Sequence, residues 1–146
     1  MAVWSEPIYD RTQADVDYAK SQVRQGINDV DLRGSLNAND LNRIESNTRY
    51  LADELIKLYY FNSMSTRATW TNVDIPFLSH INRIINNINV LWKKYYKPPD
   101  ATDLPNSLIA FEQVNNIERN LYSIKEMLDD MISSFRECGT YNCGEE

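Results

Sequence analysis

The chain has 146 residues, of which 42% are hydrophobic and 25% are charged, and its formal net charge is −6. This size and composition are typical of one globular domain with its own core, not of a disordered tail. The acidic balance, without a run of lysine or arginine, argues against binding to nucleic acid through its phosphates. No apolar run approaches the roughly 20 residues of a membrane span. We therefore expect a soluble protein that is made in the cytoplasm and binds neither nucleic acid nor membrane.

Residues 1–11 show no helical period, and Pro7 favours an extended backbone in the residue before it. The sequence therefore predicts an extended N-terminal arm whose aromatic residues, Trp4 and Tyr9, dock on an apolar surface. That surface belongs either to the same domain or to a neighbouring subunit.

Four helices follow in chain order. Thr12 with Asp15 and Asn37 with Asp40 have the spacing of capping boxes, so they predict the start of a short and a long helix. The short helix should end near Gly26, and the first long helix near Phe61. Asp29 and Asp31 in the intervening loop lack the other ligands of a calcium loop, so we predict no metal there.

The second long helix is predicted from about Pro76 to the residues before Pro98, and the third from about residue 106 to Arg136. A second apolar row in the former (Leu78, Ile85, Trp92) predicts that it is the most buried of the three. Cys138 and Cys143 follow in a short tail; free thiols are expected in a cytoplasmic product and a disulfide in an oxidising compartment.

The resulting fold prediction is all-α. It is an antiparallel bundle of three long helices plus a short N-terminal helix, because connections between successive helices usually join antiparallel neighbours. Its parts are an arm (residues 1–11), a bundle domain (residues 12–137) and an irregular or hairpin tail (residues 138–146).

An internal repeat links the three long helices, with related sequence in residues 41–51, 81–91 and 114–124. One asparagine of each repeat lies roughly 60° from the centre of the apolar stripe, at the edge of the core; these are Asn47, Asn87 and Asn120. A buried amide needs hydrogen-bond partners, so we predict a polar layer that fixes the register of the helices. Ordinary boundary positions and ligand recognition are the alternatives.

A second repeated set of asparagines lies well off the stripe, where packing within one bundle does not explain it; this set is Asn42, Asn82 and Asn115. We predict that they contact an additional layer or a partner. Aromatic residues contribute much of the energy of interfaces, which adds Trp4, Tyr9 and Tyr60 as candidate partner contacts. Burial in the protein's own core is the alternative for the aromatic residues.

Catalytic chemistry is poorly represented. His80 is the single histidine, and its position favours a surface or loop contact. The sequence has no glycine-rich phosphate loop and no nucleophile elbow, and two cysteines cannot form a four-ligand zinc site. We predict no enzyme activity, no cofactor and no bound metal.

Two stretches carry a resemblance: residues 10–17 (Asp-Arg-Thr-Gln-Ala-Asp-Val-Asp) and residues 36–45 (Leu-Asn-Ala-Asn-Asp-Leu-Asn-Arg-Ile-Glu). Together they resemble signatures of small tail-associated structural proteins of phages and prophages of Gram-positive bacteria. Similar residues recur downstream, so the resemblance covers most of residues 4–135; they are Trp70-Thr71, Ile81-Asn82-Arg83-Ile84, Tyr95-Tyr96 and Leu104-Pro105. The second repeat departs from the pattern, with Ile85 in place of the usual acid.

The resemblance implies a virion protein near the baseplate or tail tip that docks other tail proteins or further copies of itself. It gives no catalytic residues to carry over, and many such proteins are modules of longer chains. The alternative is a cytoplasmic, prophage-encoded helical regulator or adaptor that binds a host protein.

Overall fold

The computed structural model describes residues 1–27 and 32–140, without the side chains of residues 136–140. This part of the chain contains four α-helices and no strand: α1 (Gln13–Arg24), α2 (Ala38–Lys57), α3 (Leu78–Lys94) and α4 (Phe111–Thr140). The all-α prediction is confirmed. Asp29, Asp31 and Cys143 lie outside the described residues, and so do the predictions made for them.

The starts of α1 and α2 follow local sequence signals, whereas α4 starts at Phe111, about five residues after the predicted start. The capping boxes at Thr12 and Asn37 are both formed, as predicted. The start of α3 is two residues later than expected from Pro76, because Phe77 is the N-cap and donates its N–H to Nδ1 of His80 at 3.1 Å. His80 also packs its ring against Trp70, so it contacts a loop as predicted.

The ends of two helices differ from the prediction. The C-cap of α2 is Leu58, well before Phe61, because Tyr59 adopts a left-handed backbone conformation with φ of 67°. In the other direction, α4 continues to Thr140 and therefore includes residues that had been assigned to the tail.

The three long helices run parallel to one another, and the predicted antiparallel arrangement is wrong. Two contacts between α2 and α4 occur at the same offset in sequence: Arg43 pairs with Glu118, and Lys125 lies 5.8 Å from the ring of Tyr50. Between α2 and α3, Glu45 pairs with Arg83 in the N-terminal halves. At the C-terminal ends the ring of Tyr60 packs against that of Tyr95, 5.1 Å away.

Long connections make this parallel arrangement possible. After α2 and after α3 the chain returns along the bundle through residues 58–77 and 95–110, which contain no helix. Extended chain covers about 3.3 Å per residue and a helix about 1.5 Å, so each connection is long enough to return to the start of the next helix. The prediction failed because it assumed that each connection joins adjacent helix ends.

The core lies between α2, α3 and α4, which all contact one another. Its fully enclosed residues come from all three predicted seams, for example Leu51, Ile88 and Leu121. The expectation that α3 is the most buried helix is wrong, since α2 has ten buried residues and α3 has five. In the second apolar row of α3, Leu78 is 67% exposed, whereas Ile85 and Trp92 are partly buried and pack against the core.

Candidate functional site

Three grooves separate the parallel helices, and an extended stretch of chain runs beside each. The first groove, between α4 and α2, holds the N-terminal arm. The second, between α2 and α3, holds the middle segment, residues 63–72. The third lies between α3 and α4, beside the last segment, residues 98–108. The grooves are our candidate functional site because they contain both repeated sets of asparagines.

In the first groove, two asparagines each hold both polar backbone groups of one arm residue. Asn47 accepts a hydrogen bond from the N–H of Ser5 at 2.9 Å and donates one to its carbonyl at 2.7 Å. Asn115 holds Arg11 in the same way, at 3.3 and 3.0 Å. We call this arrangement an amide clamp. It binds main chain, so it fixes the path of the arm without depending on the side chain of the residue held.

A buried ionic network lies between the two clamps of the first groove. Glu118 is fully buried and accepts hydrogen bonds from the N–H of Ile8 at 2.7 Å, from Arg11 at 3.0 Å and from Arg43 at 2.6 and 2.9 Å. Asp40 also pairs with both arginines. Burial by itself would lower the pKa of Arg43, but the hydrogen bonds to Glu118 and Asp40 outweigh it and raise that pKa. The network contains two guanidinium groups (Arg11 and Arg43) and two carboxylates (Asp40 and Glu118), so its formal charges balance.

The second groove repeats this design with the next pair of helices. Asn42 clamps the backbone of Trp70, at 2.7 Å to its N–H and 2.9 Å to its carbonyl. Glu45 accepts the N–H of Arg67 at 2.9 Å and pairs with Arg83. Asn87 donates to the carbonyl of Ser65 at 2.7 Å. Equivalent positions of the repeat therefore perform equivalent tasks in the two grooves.

The third groove keeps the asparagine clamp on the α4 side but not on the α3 side. Asn120 clamps the backbone of Thr102, at 3.0 and 3.1 Å. Ile85 stands where the other grooves have glutamate, and Asn116 stands where they have arginine. Asn82 is exposed, and no hydrogen-bond partner for it lies within residues 1–27 and 32–140.

The predicted polar layer is buried, but its asparagines do not bond to one another. Asn47, Asn87 and Asn120 each form hydrogen bonds with the backbone of an extended segment. That these asparagines fix the register of the helices therefore stays a prediction. Such an effect would be indirect, because each asparagine contacts an extended segment and not another helix. In the off-stripe set, Asn42 and Asn115 hold the chain's own segments.

The aromatic candidates for partner contacts all pack on the protein's own helices. Trp4 lies 5.9 Å from Tyr50, and Tyr60 packs on Tyr95. Tyr9 lies 5.4 Å from Tyr122. All three contacts are made within the chain, but only Trp4 packs against the core, where it is partly buried. Tyr9 and Tyr60 each keep 36% of their surface exposed.

Sequence reasoning missed the residues that connect the clamps, above all Glu45, Glu118 and Arg11. The repeat could have revealed the two glutamates, because Glu45 and Glu118 occupy the same repeat position, two residues before the buried asparagine. An acidic residue recurring at the edge of a core needs a cationic or N–H partner. Arg11 gave no local signal, because its partners are distant in sequence.

Comparisons with protein-family models, with curated proteins and with solved structures gave no match for this chain. Within residues 1–27 and 32–140, no group of three or more His, Cys, Asp or Glu is placed to hold a metal ion. None of the described helices is long and apolar enough to cross a membrane.

Loss of one clamp should release the arm. Asn47→Leu leaves the N–H and carbonyl of Ser5 without their partners, so we expect a loss of about 1–3 kcal/mol in the free energy of unfolding. Amide hydrogen exchange in residues 3–9 should accelerate. Ser46→Ala is the matched control, since Ser46 makes one 3.3 Å bond to the arm. Equal exchange in both variants would contradict the role assigned to the clamp.

The turn that ends the middle segment should respond to acid. The side-chain and backbone hydrogen bonds from Thr71, followed by that from Arg67, lower the pKa of Asp74 to about 2. A lowered carboxyl pKa stabilises the fold above the unfolded value of 3.8, and that contribution is lost as the pH falls through about 2. Asp74→Asn should therefore lower the unfolding midpoint at about pH 5 and leave it nearly unchanged near pH 2. A midpoint difference independent of pH would contradict this assignment.

Proposed function

We propose that the chain is a non-enzymatic structural or adaptor module of a phage or prophage tail, in the baseplate or tail-tip region, that docks other subunits. The observation that best supports a docking role is the repeated use of amide clamps on extended chain, at Ser5, Arg11, Trp70 and Thr102. A frame of parallel helices that fixes main chain is suited to holding segments in place. The proposal involves no cofactor, no metal ion and no catalytic residue.

The assignment to a tail rests on the resemblance carried by residues 10–17 and 36–45. The two stretches contact each other and together hold the arm against α2. Arg11 from the first pairs with Asp40 from the second at 2.8 Å, and Arg43 joins them through Glu118. Two stretches that serve one contact would be expected to occur together, which supports treating them as one signature.

In this proposal the protein is made in the bacterial cytoplasm and is carried in the virion. Its partners are other tail proteins or further copies of itself. The alternative, a prophage-encoded regulator or adaptor that stays in the cytoplasm with a host protein, makes the opposite prediction about its location.

Mass spectrometry of washed particles tests the proposal. We expect the chain at a constant ratio to the other tail proteins through successive washes. A phage-encoded protein known to stay in the cytoplasm is the control for carry-over and should be removed. Consistent absence of the chain from particles, with a host protein co-purifying from the lysate, would overturn the tail assignment in favour of the cytoplasmic alternative.

A further inference from the structure

The C-terminal end of the bundle is uneven, because α4 extends beyond its two neighbours. The pairing of Arg43 with Glu118 sets an offset of 75 residues between α2 and α4, so Lys57, the last residue of α2, lies level with Ile132. The packing of the residues that follow α2 and α3 shows that these two helices end at about the same level. α4 continues through residues 133–140, which is about 12 Å of helix. We call these residues the overhang, and the shorter ends of α2 and α3 the step beside it.

Exposed aromatic rings surround the step. Tyr95 donates from its hydroxyl to the carbonyl of Met127 at 3.4 Å and packs against Tyr60, so the ends of the three helices meet there. Around this contact, four rings keep 60–82% of their surface exposed; they are Tyr59, Phe61, Tyr96 and Phe135. Phe135 lies one turn beyond Ile132, which packs against the core, so it continues the apolar seam of α4 onto the overhang. We call these four rings the end face.

The end face is large enough for an interaction site. A fully covered phenylalanine or tyrosine buries about 150–250 Å², so the exposed parts of the four rings amount to about 500 Å². This area lies toward the upper end for an apolar patch on a monomer. A symmetric pair buries the face twice, which gives about 1,000 Å² from the rings alone, and specific interfaces cover about 1,200–2,000 Å². A pair therefore needs only a small further area from the charged residues around the rings.

The shape and the charge of this end favour a second copy of the chain as the partner. An overhang beside a step is self-complementary, because a twofold rotation lays each overhang on the step of the other copy. Lys93 and Lys94 are exposed at the end of α3, whereas α4 exposes Asp129 and Asp130 at about the same level, the former paired with Lys125. A twofold rotation also brings the basic side of one copy toward the acidic side of the other. A partner with a single sign of charge would match only one side.

We infer that two copies of the chain associate end to end about a twofold axis, with the overhang of each copy on the step of the other. Phe135 of each copy then covers the rings of Tyr59 and Tyr96 in the other copy. The inference rests on the proposed docking function and names one of its partners, a second copy of the chain. The arm and the two returning segments keep their places in this pair, because the end face contains none of the clamp asparagines.

Sedimentation analysis of the full chain tests the pair. We expect a monomer–dimer equilibrium with a dissociation constant on the order of micromolar. Phe135→Asp should weaken association at least about tenfold, because it places two unpaired charges in the interface. Tyr59→Asn should weaken it as well, and asparagine tolerates the left-handed backbone of this position. Tyr18→Asp changes a ring on α1 that is 60% exposed, so it is the matched control and should leave association unchanged.

A charge exchange tests the orientation of the two copies. Lys93→Glu with Lys94→Glu places acids opposite the acidic side of the other copy and should weaken association about fivefold or more. Adding Asp129→Lys and Asp130→Lys reverses both sides and should recover most of the loss. Absence of recovery would overturn the twofold arrangement. Circular dichroism checks that each variant is folded, as expected for substitutions at exposed positions.

Cross-linking identifies the surface that each overhang contacts. A photoreactive benzophenone amino acid replaces Phe135, and the variant is mixed with isotopically labelled chain. We expect cross-links between labelled and unlabelled copies in the tryptic peptide of residues 58–67, which contains Tyr59 and Phe61.

Three further results would each overturn the inference: a strict monomer, association that Phe135→Asp leaves unchanged, or cross-links confined to single copies. All of these measurements use the purified chain. None bears on whether the chain is present in washed particles, so failure of the inference is distinguishable from failure of the proposed function.

Discussion

Glu118→Gln lowers the free energy of unfolding by about 3–5 kcal/mol, the cost typical of breaking a buried ion pair on one side. Glu118 is fully buried and is the acceptor shared by Arg11, Arg43 and the N–H of Ile8. A neutral amide of the same shape removes the charge and turns one acceptor oxygen into a donor. Asp40 is then left as the single carboxylate for two guanidinium groups, of which that of Arg11 is almost fully buried.

Urea unfolding measures this effect, and Glu112→Gln is the control. Glu112 is an exposed acid in the first turn of the same helix, so its replacement should cost only the small favourable interaction with the helix dipole, about 0.3–1 kcal/mol. The arm should also become more accessible to proteases in Glu118→Gln. A loss no larger than that of the control would show that the network does not depend on the shared carboxylate.

Glu45→Ile is expected to have the second large effect. Glu45 is buried, pairs with Arg83, and accepts the N–H of Arg67 and the indole N–H of Trp70, the latter at 3.4 Å. Isoleucine leaves these donors without an acceptor, and we expect a loss of about 3–5 kcal/mol. Near-ultraviolet circular dichroism should report the loss of order around Trp70.

Adding Arg83→Asn to Glu45→Ile should recover part of that loss. The double variant reproduces the pair found naturally in the third groove, where Ile85 and Asn116 replace the glutamate and the arginine. It removes the cation that the single variant leaves without its carboxylate. A double-mutant cycle should therefore give a favourable coupling of about 1–3 kcal/mol. Additive losses would indicate that Glu45 acts mainly through the segment backbone and not through Arg83.

The sequence by itself determined the number of helices, the starts of α1 and α2, and the apolar seam that each long helix buries. Thr12 and Asn37 begin α1 and α2 because a capping box is formed within four residues of chain and needs no tertiary contact. The apolar seams placed Leu51, Ile88 and Leu121 in the core because helical periodicity alone brings such residues to one face. The repeat placed Asn47, Asn87 and Asn120 at equivalent levels for the same reason.

Only the tertiary structure decided the direction of the helices and what their asparagines hold. An apolar seam has the same period whether its neighbour runs parallel or antiparallel, so the pattern contains no information about direction. The end of α2 depends on the positive φ of Tyr59, and the local sequence contains no pattern that predicts this conformation. The partners of Asn47 and Asn115 are 42 and 104 residues away in sequence. Such hydrogen bonds exist only once the returning segments lie in the grooves, because no local pattern in the sequence brings these residues together.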